Sequence, residues 1–257
     1  MKDGGIRLVT RADDFGSGRG ANHAILEACA GGFIQNVSVM AGGPFVEEGA
    51  GALARSGKCI GMHAVLNSEW DRIKWLPCAA KERIPSLLDA DGEFPWQTAW
   101  FAAHPPEPAE VLHEFDAQLD RLTALGLPVA YVDMHMLPYA EIPWLEEEMS
   151  RWIARKGLID HMPYYHDLAQ LSPGKCFGLE EGVALWRDWL GSFEAGQYFC
   201  VLHPFKKGEG SELMGNADVP TEFVEAARDT EYRLLVSGSL EQLCLELGIT
   251  TVRYDEV

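Results

Sequence analysis

Short apolar runs alternate with stretches of helical periodicity almost from one end of this chain to the other, and that rhythm limits the fold more than any single motif. Apolar runs near residues 6–10, 36–40, 59–65, 130–135, 158–162, 198–203 and 233–237, with a further one at 249–252, predict strands. Between them, segments 20–31, 45–55, 108–125, 143–156, 180–194, 220–229 and 240–247 predict helices. The third is the clearest. Pro108 stands near its start, Val111, Leu112, Phe115, Leu119, Leu122 and Leu125 form one stripe, and Gly126 follows its end. Such repetition is α/β, and seven or eight units over 257 residues is the arithmetic of a distorted or regular (β/α) barrel. An open doubly wound sheet fits the same count, but the barrel is the preferred expectation. No linker or low-complexity run divides the chain, so one domain over 1–257 is expected.

The rhythm breaks once. Residues 67–107, after the third strand, hold no clear strand but carry Trp70, Trp75, Trp96 and Trp100 with Phe94, Phe101 and several prolines. This aromatic-rich insertion reads either as an excursion with its own small core or as a lid whose flat faces suit sugar rings; a lid is the expected role. Composition narrows the partners. A formal charge of -18, with no basic stretch longer than Lys206-Lys207, repels nucleic acid and anionic membranes. No run approaches the roughly 18 apolar residues of a membrane span, and the N-terminus lacks the pattern of a signal peptide, so a cytoplasmic location is expected. The six scattered cysteines form no CxxC pair and read as reduced, packed thiols.

Ligand-type side chains gather at predicted strand ends. Arg11-Ala12-Asp13-Asp14-Phe15-Gly16 places two carboxylates side by side where the first apolar run gives way to loop. Neighbouring carboxylates repel unless a cation, a shared proton or water separates them. Gly61-Met62-His63 and Asp133-Met134-His135 follow at later strands, and a period of two puts Asp133 and His135 on one face. Asp133 could orient His135 by accepting its second ring N–H, or simply form a buried ion pair with it. One carboxylate and two imidazoles from successive strands would supply three ligands and leave positions open for water. His203-Pro204 delivers another imidazole at a strand end, opposite such a metal, where it could act as an acid; His161 and His166 compete for these roles.

These motifs together resemble the YdjC/ChbG/HpnK-type carbohydrate deacetylases, a branch near the polysaccharide deacetylases. The likeness rests on Asp13-Asp14-Phe15-Gly16 followed by Gly20 and Asn22, on GxHxxL from Gly61 to Leu66, on Asp133-Met134-His135, and on His203-Pro204. The resemblance implies a distorted (β/α) barrel in which Asp14, His63 and His135 hold a divalent metal ion, Asp13 acts as base and His203 as general acid. Zinc is the first expectation, with magnesium or another divalent ion as alternates. The implied reaction is removal of an acetyl group from an N-acetylated small carbohydrate, and a homodimer is admitted. Arg11, Asn67, Met136 and Phe205 depart from the family pattern, which bears on pocket shape more than on the ligands. Arg11 could pair with Asp13 or Asp14, or face solvent. Two rival readings stand beside this one: a metal-independent glycosidase using Asp13 with a second carboxylate such as Asp133, and a non-catalytic sugar-binding protein.

Overall fold

The computed structural model describes residues 5–166 and 172–257, without the side chains of residues 165 and 166, so the His166 alternative lies outside the described residues. In chain order, β1 (Ile6–Phe15) leads to α1 (Arg19–Ala30), β2 (Asn36–Val39), α2 (Val46–Leu53) and β3 (Cys59–Ala64). A long connection containing the one-turn helix α3 (Trp100–Ala103) precedes α4 (Pro108–Ala124), β4 (Val129–Met134), α5 (Leu145–Lys156), β5 (Ile159–Asp160) and α6 (Met162–His166). The chain closes with α7 (Leu179–Gly191), β6 (Gly196–Leu202), α8 (Thr221–Val236), α9 (Ser239–Leu247) and β7 (Ile249–Val252).

The described strands pair in parallel in the order β5-β4-β3-β2-β1-β6. β5 and β6 are not neighbours in that order, so among the described residues the barrel is distorted and open between them, with seven strands. The seventh wedges in from one side: the first half of β1 pairs with β7, from Ile6↔Ile249 to Val9↔Val252, and the second half with β2 from Arg11↔Asn36 onward. Asn36 holds this fork. Its side-chain amide donates to the carbonyls of Thr10 and Val252 at 2.9 and 3.1 Å, and its oxygen accepts the Tyr254 N–H at 2.9 Å.

Two expectations are corrected. The apolar run 233–237 was expected as a strand, but residues 233–236 are the last turn of α8. Val224, Ala227, Thr230, Leu234 and Leu235 are buried at three- to four-residue spacing, so the run belongs to a helical stripe that short windows cannot separate from a strand. The first strand is expected to end at residue 10, yet β1 runs on to Phe15, because its pairing with β6 continues to Ala12↔Leu202 and that with β2 to Phe15↔Val39.

Most apolar side chains fill the layer between sheet and helices. A second, smaller cluster of Val9, Cys59, Tyr131, Phe199, Val201, Val252 and Tyr254 fills one end of the curl. Gly61 is needed here, since a Cβ would come within 2.3 Å of the Tyr131 ring. In residues 67–107 the described structure is two short 3-10 turns and α3, with Trp75, Phe94 and Phe101 buried. Glu114 of α4 fastens this insertion by accepting the N–H groups of Cys78 and Ala79, each at 2.9 Å. The six cysteines are free thiols, and no described helix is long and apolar enough to cross a membrane.

Candidate metal centre

Strand periodicity alone would turn Asp13 and Asp14 to opposite faces. The pairing of β1 with β2 slips between Ala12 and Phe15, and Asp14 takes a left-handed φ of 67°. That bulge re-aims the chain, so both carboxylates line one cavity. A left-handed aspartate is strained backbone of the kind that collects at working sites. Met136 and Leu137, with φ of 56° and 45°, turn the chain sharply after His135 at the end of β4.

Three donor atoms converge at the cavity base. Asp14 Oδ1 lies 3.5 Å from His63 Nε2 and 3.6 Å from His135 Nδ1, and the two ring nitrogens are 3.1 Å apart. His63 Nδ1 donates to Asp133 Oδ2 at 2.8 Å, and His135 Nε2 donates to Glu69 Oε2 at 2.9 Å, because carboxylate oxygens only accept. In their neutral forms both rings therefore turn bare lone pairs towards Asp14 Oδ1, a buried atom with no hydrogen-bond partner among the described residues. Three lone pairs facing one another call for a cation. The spacings match the edge of about 3.4 Å of a tetrahedron with bonds of about 2.1 Å, usual for nitrogen and oxygen ligands on zinc. Asp14, His63 and His135 thus fit a divalent metal ion.

The charges around this triangle are arranged to keep it so. Arg228 of α8 donates to Asp14 Oδ2 at 2.7 Å, which leaves Oδ1 as the free ligand atom. Burial alone would raise the Asp14 carboxyl, but Arg228, followed by His203, His135 and His63, holds it well below the usual carboxylate range. Burial pulls His63 down, yet Asp133, Asp13 and Asp14 outweigh it and leave that ring pushed up to about 9. In the absence of a metal, a proton on His63 supplies the cation.

Arg11 is buried and faces neither Asp14 nor solvent. Its guanidinium grips both oxygens of Asp13, at 2.6 and 2.7 Å, and reaches Asp133 Oδ2 at 2.9 Å. It sits 4.9 Å above the Phe199 ring and donates to Tyr254 Oη at 3.2 Å, so it joins the apolar cluster to the polar site above it. In a second candidate set, Asp13 with His63 and Asp133, Arg11 occupies both oxygens of Asp13 and Oδ2 of Asp133, and that Oδ2 also accepts from His63 Nδ1, while Asp133 Oδ1 is a buried oxygen with no hydrogen-bond partner among the described residues. The expected partnership of Asp133 is corrected: it orients His63 across the β3–β4 pairing, and Glu69 orients His135.

His203 and His161 line the same cavity. Burial leads in holding the His203 ring down, to about 3, with Asp14 pulling it up and Arg228 pressing it further down. Its backbone N–H donates to Glu231, whose other oxygen accepts from Lys175 at 3.1 Å. Phe205, where the family pattern has a small residue, lays its ring over Gly18 and Gly20; a Cβ on Gly20 would lie 2.2 Å from it. Sequence reasoning passed over Glu69 and Arg228. Neither belongs to a short motif, and the only mark on Glu69 is its position in the interrupting insertion.

Residues 7–143, a little over half of the chain, match the family model described as YdjC-like protein. The chain is 32% identical to a chitooligosaccharide deacetylase of Enterobacter sp. (strain 638) over 154 residues, 59% of this chain and 57% of that protein. It is 29% identical to a carbohydrate deacetylase of Oceanobacillus iheyensis over 132 residues, 51% of this chain and 54% of that one. The match thus spans a little over half the length of these curated relatives. A crystal structure of an Enterococcus faecalis protein described as a cellobiose-phosphate cleavage protein superposes with a TM-score of 0.78 at 19% identity, covering 98% of both chains. The catalytic domain of a peptidoglycan N-acetylglucosamine deacetylase from Eubacterium rectale gives 0.54 at 10% identity, over 98% of this chain and 90% of that one. At these identities the structural likeness is one of fold.

Proposed function

This chain belongs to the YdjC-like family, and from that premise we propose that it is a hydrolase using a divalent metal ion to remove the acetyl group from an N-acetylated small carbohydrate. The observation that carries the proposal is the meeting of Asp14 Oδ1, His63 Nε2 and His135 Nδ1 at the base of a cavity that also holds Asp13 and His203. Two imidazoles and one carboxylate suit zinc, and cobalt, nickel, manganese or iron, better than they suit magnesium, which prefers oxygen ligands. The names of the curated relatives support the substrate class.

An amide needs an activated nucleophile, stabilised charge on its carbonyl oxygen and a proton for the departing amine. When bound, the metal would supply Lewis-acid polarisation of the carbonyl and lower the pKa of a water to roughly 7. Asp13 would take the proton of the attacking water. Both its oxygens accept from Arg11, but each retains a second lone pair, and the fork holds the carboxylate in one orientation. Burial holds His203 neutral at rest, with a pKa of about 3, so as acid it would take up a proton from solvent as negative charge grows on the substrate beside it and pass that proton to the departing amine nitrogen, while Asp13 returns the water's proton to solvent. Arg228 and Asp133 hold Asp14 and His63 in place throughout.

The cavity, about 710 Å³, lies within the range of small-molecule sites, about 300–1,000 Å³. Trp70 and Trp96 of the insertion form part of its wall, and Trp96 is 38% exposed, so an aromatic face is available to a sugar ring. This placement supports a lid role for residues 67–107. The glycosidase reading loses its geometry, since Asp13 and Asp133 grip the same guanidinium instead of flanking a bond. The test is acetate release from N-acetylated mono- and disaccharides with and without chelator. We expect release that chelator abolishes and a divalent ion restores. Chelator-insensitive release of reducing sugar, or binding without turnover, overturns the proposal.

A further inference from the structure

Two residues of the insertion touch a metal ligand directly. Glu69 Oε2 accepts the Nε2–H of His135 at 2.9 Å, and the Trp75 ring meets the His135 ring edge-on, with centroids 5.6 Å apart and planes at 86°. Trp75 is itself fixed, its indole N–H donating to the Asn67 carbonyl at 2.6 Å and its backbone N–H to Ser68 Oγ at 3.1 Å. The Glu69 carbonyl accepts from Asn216 Nδ2 at 3.0 Å, and the Asp71 N–H donates to the Gly215 carbonyl at 3.0 Å, so the same short segment is tied to the loop before α8. Glu69, Trp75 and His135 are all buried.

We infer that the first segment of the insertion is a structural part of the metal centre, with Glu69 as the positioning residue that fixes His135 with Nδ1 turned towards Asp14 and His63. The inference rests on the reading that Asp14, His63 and His135 hold a divalent ion. A neutral imidazole carries one N–H, and an acceptor at Nε2 keeps the proton there and the Nδ1 lone pair free. Linkage makes the effect mutual: if Glu69 favours the metal-ready ring, a bound ion must steady the segment that carries Glu69.

The experiment titrates the full chain with zinc(II) and cobalt(II) against a chromophoric chelator, for wild type, Glu69→Ala, Glu69→Gln and Asp71→Asn. Hydrogen exchange of residues 67–76 is followed with and without zinc. Glu69→Ala is expected to weaken metal binding about 10–100-fold, the usual cost of losing a partner that orients a ligand. Glu69→Gln, whose amide oxygen can still accept from Nε2–H, recovers part of that loss. Asp71→Asn, which removes a nearby exposed carboxylate, leaves affinity unchanged. Zinc slows exchange in residues 67–76 of wild type, and Glu69→Ala loses most of that protection. If wild type binds neither ion, the metal reading fails, and the inference falls with it. If wild type binds and Glu69→Ala binds equally, the inference alone is overturned. Where Glu69→Ala does not fold, Glu69→Gln decides: unchanged affinity with unchanged zinc-induced protection overturns it.

Discussion

Asp14 gives one oxygen to Arg228 and keeps the other facing two imidazoles, whereas Asp13 gives both to Arg11. Asp14→Asn is therefore expected to lose metal and activity together, while Asp13→Asn keeps its metal and loses activity by about 10²–10⁴-fold, the range for a general base. Metal content measured beside acetate release checks this, and equal metal loss in both variants defeats the division of labour. His63 sets a pH dependence. Its ring is pushed up to about 9, so below that pH it carries a proton that an incoming ion must displace. Apparent metal affinity is expected to rise with pH until about 9, with about one proton released per ion near pH 7. Calorimetry in buffers of different ionisation enthalpy measures that release, and a buffer-independent heat contradicts it. The five proposed site residues were legible because each stands in a short motif at a strand end. Glu69 and Arg228 were not, since their partners lie 66 and 214 residues away and only folding brings them within reach.

At the level of elements, β1 and α4 show how the site is built and braced. The bulge at Asp14 is invisible to periodicity, because one left-handed residue overrides the two-residue alternation. α4 is plain in the sequence, but no motif marks its buried Glu114, which bonds the insertion at Cys78 and Ala79 and accepts from Gln118 at 2.8 Å. Glu114→Ala strands two amide donors in the interior, at roughly 1–3 kcal/mol each, and is expected to lower the denaturation midpoint and open residues 67–107 to limited proteolysis. Wild-type resistance to protease in that variant argues against the brace. α8 was misread at 233–237 for the opposite reason: a short apolar run looks the same on a strand and on the buried stripe of a helix. Its true length matters, because the same helix carries Arg228 to Asp14.

Across the whole molecule, the metal triangle joins β1, β3 and the end of β4, with the partner from α8 and the brace from the insertion. An ion bound only by the folded chain stabilises all of these together. At a free zinc concentration 100 times the dissociation constant the gain is about 2.7 kcal/mol, which for a chain of this size raises the melting temperature by roughly 5–10 °C. Differential scanning calorimetry measures it; His135→Ala is expected to abolish the shift, and an undiminished shift in that variant places the ion elsewhere. The sequence by itself determined the α/β alternation and the carboxylates and imidazoles at strand ends, since these follow from side-chain periodicity and local chemistry, whereas the choice of a barrel over an open sheet rests on the family resemblance. Tertiary structure alone decided that β7 enters beside β2, that the sheet stays open between β5 and β6, and that Asp133 serves His63 while Glu69 serves His135. Those are contacts between segments far apart in the chain, chosen by which arrangement buries the apolar surface and gives buried charges such as Asp14, Asp133 and Arg11 their partners, and no local pattern records that choice.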